Sequence, residues 1–483
     1  MDKSSVIFGN PIDQKTLRKA EKSKAKFIKK FGDDSNKAYH LKIREIPQIK
    51  EIKIRNLELS DTELELPEKP LVVGNIRMGF GHYRISMAIA SCAQAMGYEP
   101  LWFDLASFDA TGSKMIRSQN DLYSMGSRLS QKIGLFNKLY WEPLNSEGFR
   151  QITYNAGDQK NAELLVPLFN DLPKDIPYVA THVWPSQGAV HAGLTHVVNA
   201  IPDNWPMGLH LSEGAIHTVQ TPFAYLGYKM LRGMAKTPLK PMPDEDLFMT
   251  GHYVDHELVD NVFKDCSARI SRAQAGKPVR FLLTVGGAGA GSDLYLALTS
   301  HLAEYVKKGQ ASVIINFGDH LAMWEFMKQK MPGFEKKCIT FFNDYEGLCK
   351  WAEAAEGDLD PCICCVCNND IFEAVYSTNM LMRKCDVLVT KPSELSFYPV
   401  PKLMMRHIGG HEVYGAIHAQ EIGDSTFECE DAKSLKEMTD VFINDRSILV
   451  EMSKRIMVLK QQGVYDGGYK VVELAAKGRE ANI

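Results

Sequence analysis

From Pro70 onward, short runs rich in Val, Ile, Leu and Phe alternate with segments of helical period. This alternation constrains the fold more than any other feature. Strands separated by helices pair in parallel, and helices then cover both faces of the sheet. "LVVGNI" reads as a strand, Ile85–Met96 as a helix and "PLWFDL" as the next strand. After a long helical stretch, "YVATHVW", "THVVNAI" and "AIHTVQT" form three short strands whose ends carry His182, Asp203 and Gln220, and "LFMTGHYV" closes this half. A second series opens at "VRFLLTVGG". It predicts helices over Ser292–Lys307 and Leu321–Lys330, strands at "ASVIINFG", "KCITFFN", "PCICCVC" and "CDVLVTK", and helices near Phe372–Lys384 and Val400–His407. The expected fold class is α/β. Two Rossmann-like domains with parallel sheets, over residues 69–250 and 251–430, face an interdomain cleft. An N-terminal extension, 1–68, and a C-terminal helical segment, 431–483, complete the chain.

The 483 residues exceed what one core ordinarily serves. A formal net charge of −3 gives no reason to expect nucleic acid as a partner. No apolar run approaches the ~20 residues of a membrane helix, and "MDKSSVIFGNPIDQK" has no signal-peptide core. The ten cysteines lack the spacing of a disulfide scaffold, so reduced thiols in a cytoplasmic protein are expected. "KTLRKAEKSKAKFIKKFG" predicts a lysine-rich helix with a thin apolar stripe, hence a partly solvated basic face. Contact with the inner face of a membrane is the alternative.

Three segments carry candidate chemistry. In "RMGFGHYRIS", a strand ends in a turn with Gly79 and Gly81, residues able to adopt positive φ. The following helix places Ile85, Ala88, Ile89, Cys92, Ala93 and Met96 on one face. Free N–H groups at its start favour an anion, and His82 and Arg84 stand beside them. A dinucleotide fingerprint needs a third glycine, and Arg84 occupies that place. In "TVGGAGAGSDLY", Gly286, Gly287 and Gly289 form a second strand-to-helix turn, with no P-loop lysine after it. In "CDVLVTKPSELSF", a buried strand emerges into Thr390, Lys391, Ser393 and Glu394, where open parallel sheets bind ligands. Between them, "NAIPDNWPMGLHLSEGAIHTVQ" offers Asp203, His210, Glu213 and His217 as acid/base candidates. Tyr225–Lys240 mixes aromatic, apolar and basic residues and could meet a lipid headgroup or an anionic acceptor. "CICCVC" is read as a core strand, not a metal site, since alternation splits its four thiols between two faces.

The order of these motifs resembles the GT-B glycosyltransferases that include monogalactosyldiacylglycerol synthase and the lipid-II-forming N-acetylglucosaminyltransferase. Met78, Gly79, Phe80, Gly81, His82 and Ser86 stand where that family has a glycine-rich turn with a histidine. The resemblance implies that His82 works near the acceptor hydroxyl or the donor phosphates. It places Gly286, Gly287 and Gly289 against the donor pyrophosphate, and Thr390 and Lys391 at the start of the donor segment. There the sequence departs: Lys391 is followed by Pro392, Ser393, Glu394 and Leu395 rather than a glycine-rich turn. The implied function is transfer of a sugar from a nucleotide-sugar, a UDP-sugar by preference, to a lipid or other hydroxyl acceptor. His82 with Asp203 or Glu213 would be catalytic. Gly79, Gly81, Arg84, Gly286, Gly287, Gly289, Thr390, Lys391, Ser393 and Glu394 would bind substrate. No metal and no cofactor beyond the nucleotide-sugar co-substrate is expected. The alternatives are a nucleotide-sugar epimerase on the same frame and a catalytically degenerate binding protein.

Overall fold

The computed structural model describes residues 2–46, 52–132, 137–141, 143–285, 291–354 and 361–479. The chain forms two compact units. One comprises Met1–Tyr253, Gly409–His411 and Asp466–Ile483; the other comprises Val254–Ile408 and Glu412–Tyr465.

The first unit begins with a hairpin, β1 (Val6–Ile7) and β2 (Asn10–Pro11), and the helix Gln14–Phe31. Its main sheet contains β3 (His40–Glu45), β4 (Arg55–Ser60), β5 (Pro70–Asn75), β6 (Glu99–Asp104), β7 (Tyr178–Ala180), β8 (Val197–Ala200), β9 (Ile216–Val219) and β10 (Leu247–Met249). The strand order is β10-β9-β8-β7-β5-β6-β4-β3. All pairs are parallel except β3–β4 at the edge. Central strands are buried along most of their length, with Leu71, Val72 and Val73 of β5 fully buried, because helices cover both faces. The edge strands alternate instead: Leu41 and Leu57 enter the core while Lys42 and Arg44 face out. His40–Glu45 and Arg55–Ser60 are thus built into this sheet.

The helix Gly81–Ala95 is buried from Tyr83 to Ala93. It packs on β5 and β6 and against the C-terminal helix Gly467–Lys477. A Cβ at Gly467 would lie 2.2 Å from the carbonyl oxygen of Gly251. Only glycine lets the first turn of that helix close on this backbone.

The second unit holds β11 (Val279–Thr284), β12 (Ala311–Asn316), β13 (Cys338–Phe342), β14 (Ile363–Cys367), β15 (Val387–Thr390) and β16 (Lys402–Met404). The order is β13-β14-β12-β11-β15-β16, parallel throughout. The helices Ala432–Asn444 and Ser447–Gln461 send Leu435, Phe442, Leu449 and Met452 into its core. "CICCVC" supplies β14, whose Cys365 and Cys367 join that core cluster. Burial pushes the Cys365 and Cys367 thiols up, as inert core groups.

One expected helix is absent. Residues 400–407 are not helical: Lys402–Met404 form β16, and the next α-helix is Val413–Ile422. Val400, Leu403, Met404 and His407 have helical spacing, but a short buried strand shares that apolar content. Lys402 decides the conformation. Fully buried, its Nζ lies 2.8 Å from Asp424 Oδ2 and donates to the carbonyls of Tyr398 (2.8 Å) and Val400 (3.0 Å). No described helix is long and apolar enough to cross a membrane.

Candidate functional site

In the first sheet the chain runs to opposite sides of β5, through β6 on one side and β7 on the other. Ligands of open α/β sheets bind beyond the carboxyl ends of strands at such a reversal. Two segments meet there. One is the turn from β5 into the helix Gly81–Ala95; the other is Thr181–His182, which leads from β7 into the helix Val183–His191.

Hydrogen bonds lock these segments together. Thr181 Oγ1 lies 2.8 Å from Ser86 Oγ and donates to the His82 carbonyl at 3.3 Å. His82 Nδ1 lies 2.7 Å from the Thr181 carbonyl. A carbonyl only accepts, so Nδ1 carries the proton, and in the neutral ring the lone pair is on Nε2. The His82 ring meets the edge of His182, with centroids 4.8 Å apart and planes at 80°. His182 caps the next helix, its Nδ1 accepting from Trp184 N–H at 3.2 Å. Burial, then the neighbouring His82 and His210, hold its pKa well below the usual value despite Asp203. His182 is therefore neutral at pH 7, with its hydrogen on Nε2. One histidine of the pair offers a lone pair and the other an N–H.

Asp203, after β8, lies near enough to His82 and His182 to interact with both by charge. His210 Nε2 lies 3.2 Å from Asp203 Oδ2, and His210 Nδ1 lies 2.7 Å from the Tyr228 hydroxyl. Burial would raise the Asp203 pKa. The hydrogen bond from His210 and the charges of His411, His210 and His82 outweigh it and hold the carboxyl well below its usual range. Polar strand ends fix the loop: Asn199 donates to the His210 carbonyl at 2.7 Å, and Gln220 to the Pro202 carbonyl at 2.9 Å.

The other first-unit candidates are placed differently. Gly79 adopts φ +85°, with open space where a side chain would be. Gly81 is the first residue of the helix, so it does not use positive φ. Arg84 is 4% exposed inside that helix rather than open to the turn. Glu213 does not join the histidines; its Oε2 accepts the Phe8 N–H at 2.6 Å and ties down the N-terminal hairpin. Of the partners that complete the site, His210 stands among the acid/base candidates of the sequence, whereas His182 and Tyr228 do not. Their signal is a polar residue closing an apolar strand, as at His182, or following one closely.

His217 serves the framework. Its Nε2 accepts Ser212 N–H at 2.9 Å, and its Nδ1 donates to the Asp246 carbonyl at 3.2 Å. Burial brings its pKa down to about 3. Between about pH 6.5 and 3 the unfolded chain holds this proton and the folded one does not. The stabilisation is therefore complete above pH 6.5 and falls by up to about 1.4 kcal/mol per pH unit below it. In urea unfolding, a His217→Gln variant should lose less stability than wild type between pH 7 and pH 5. An unchanged difference between the two proteins over that range would contradict this.

In the second unit the reversal lies at β11, between β12 and β15. Gly286, Gly287 and Gly289 lie outside the described residues. Thr390 ends β15, buried, and its hydroxyl donates to the Lys391 carbonyl at 3.1 Å. Ser393 precedes the short 3-10 turn Glu394–Phe397, and its carbonyl accepts from Ser396 N–H at 2.9 Å. Lys391 Nζ pairs with Glu412 Oε1 at 2.5 Å, and Glu412 Oε2 accepts Ile408 N–H at 2.8 Å. Burial would lower the Lys391 pKa; Glu412 above all, then Glu394 and Tyr295, raise it, so Lys391 stays charged. Among the described residues no group of three His, Cys, Asp or Glu side chains is placed to hold a metal.

Several solved structures resemble this chain. The UDP-GlcNAc 2-epimerase of Neisseria meningitidis bound to UDP-GlcNAc aligns at 12% identity over 85% of this chain and 100% of its own, with TM-score 0.43. The α,α-trehalose 6-phosphate synthase of Burkholderia multivorans aligns at 11% identity over 85% of this chain and 98% of its own, with TM-score 0.44. No curated protein matches by sequence. Two protein families match in succession, each described as a domain of unknown function: DUF6937 over residues 6–230 and DUF6938 over residues 242–476.

Proposed function

We propose that this chain is a glycosyltransferase that moves a sugar from a nucleotide-sugar, by preference a UDP-sugar, onto the hydroxyl of a lipid or other acceptor. The observation that carries this reading is the first-unit constellation. His82, with its tautomer set by Thr181, and an Asp203 kept ionised by His210 lie beyond the carboxyl ends of a parallel sheet. In the proposed reaction His82 Nε2 takes the acceptor proton as the acceptor oxygen bonds to the anomeric carbon. The bond from that carbon to the diphosphate breaks, and the electron pair leaves with UDP. Asp203 orients the acceptor and offsets the positive charge gained by His82. In the second unit Lys391 and Glu394 are proposed to meet the diphosphate and the ribose.

Isothermal titration with UDP tests the donor half. Wild type should bind, and Glu394→Ala should bind at least about tenfold more weakly, about 1.4 kcal/mol. Equal affinity in the two proteins, or no heat from any nucleotide in either, would remove the donor assignment.

A further inference from the structure

The helix Gln14–Phe31 carries six lysines on one side. Lys15, Lys19, Lys22, Lys26, Lys29 and Lys30 are all exposed, at spacings that form a single stripe. Glu21 is the helix's sole acid, and it pairs with Lys160 at 2.8 Å. Phe27 and Ile28, on the inner face, pack against the first unit's core. Lys24 on the same side pairs with Glu163 at 2.5 Å. The stripe is therefore a fixed row of cations, on a chain whose formal net charge is −3.

At its end the row meets a second, apolar one. Lys30 Nζ reaches Ser118 Oγ, 3.4 Å away, on the helix Thr111–Lys132. Leu122, Met125 and Leu129 follow Ser118 at i+4, i+7 and i+11, so they share its face. They are 60%, 57% and 38% exposed. A basic row running into exposed leucine and methionine is the chemistry of a surface that rests on lipid. Cations hold anionic headgroups while apolar side chains enter the acyl boundary. A nucleic-acid surface would use the same cations but would gain nothing from Leu122 and Met125.

We propose that this face of the first unit docks reversibly on an anionic lipid bilayer. Co-sedimentation with phosphatidylcholine vesicles, with and without phosphatidylglycerol, tests it on the full chain. Binding should require phosphatidylglycerol and weaken at least about tenfold when salt rises from 0.1 to about 0.5 M. Combining Lys19→Glu, Lys22→Glu and Lys26→Glu should abolish it. Leu122→Ser with Met125→Ser should weaken it several-fold. All these sites are exposed, and unchanged melting temperatures confirm folding. Equal binding to neutral vesicles, or none to either kind, would overturn the proposal. So would binding to an RNA homopolymer that ignores the Leu122 and Met125 changes while vesicles go unbound.

Discussion

His82→Ala should lower sugar transfer by about 10²- to 10⁴-fold, the usual contribution of a general base, with the fold intact. The ring is half-buried and rests on the Thr181 carbonyl rather than within a core cluster. Its removal therefore costs little packing. If Nε2 is the base, the loss falls on kcat, with little change in the affinity for nucleotide. His82→Gln, which can still donate to Thr181, should be as inactive as alanine. Recovery with glutamine would make the residue a hydrogen-bonding element rather than a base. Asp203→Asn separates the second role: it removes the negative charge that opposes a protonated His82 and should cost activity without abolishing it. Stopped turnover in His82→Ala alongside an unchanged UDP titration is the combined signature.

Lys402→Met should be the most damaging single change to stability. The ammonium and the Asp424 carboxylate are both fully buried, 2.8 Å apart. The carboxylate also accepts from the Tyr465 hydroxyl at 3.2 Å. Removing one partner leaves a buried charge uncompensated, at about 3–5 kcal/mol. For a unit of this size each kcal/mol corresponds to about 2–4 °C, so melting should fall by roughly 6–20 °C. The double replacement Lys402→Met with Asp424→Leu should recover most of that loss, since an apolar pair of similar volume is often neutral. A double variant as unstable as the single one would show that the Tyr398 and Val400 carbonyls, not Asp424, are the essential partners.

Much of this architecture is legible in the chain because its local signals agree with its fold. Ser292–Lys307 and Leu321–Lys330 are helices over the ranges their periodicity predicts. The strands around Val73, Val198 and Ile314 are apolar runs between turn residues. The failure at Lys402–Met404 has a non-local cause: the pattern shows a lysine but not the buried Asp424 that receives it. The first-unit constellation was half legible. His82 and Asp203 stand out as polar residues at strand ends, whereas the links from Thr181 to His82 and from Tyr228 to His210 span 99 and 18 residues. Glu213 misled for the same reason, since its partner Phe8 is 205 residues away. Asp104, which closes β6, accepts from the Tyr83 hydroxyl and from Ala106 N–H.

In the proposed reaction this chain breaks the bond between a sugar and a nucleoside diphosphate and passes the sugar to a hydroxyl. Phosphorus NMR of the purified protein with a panel of UDP-sugars, with and without an extract supplying hydroxyl acceptors, measures that step directly. UDP should accumulate from at least one donor, faster with acceptor present, and should not accumulate in His82→Ala. A UDP-sugar converted to its epimer with no UDP released, or every donor returned unchanged, would contradict it.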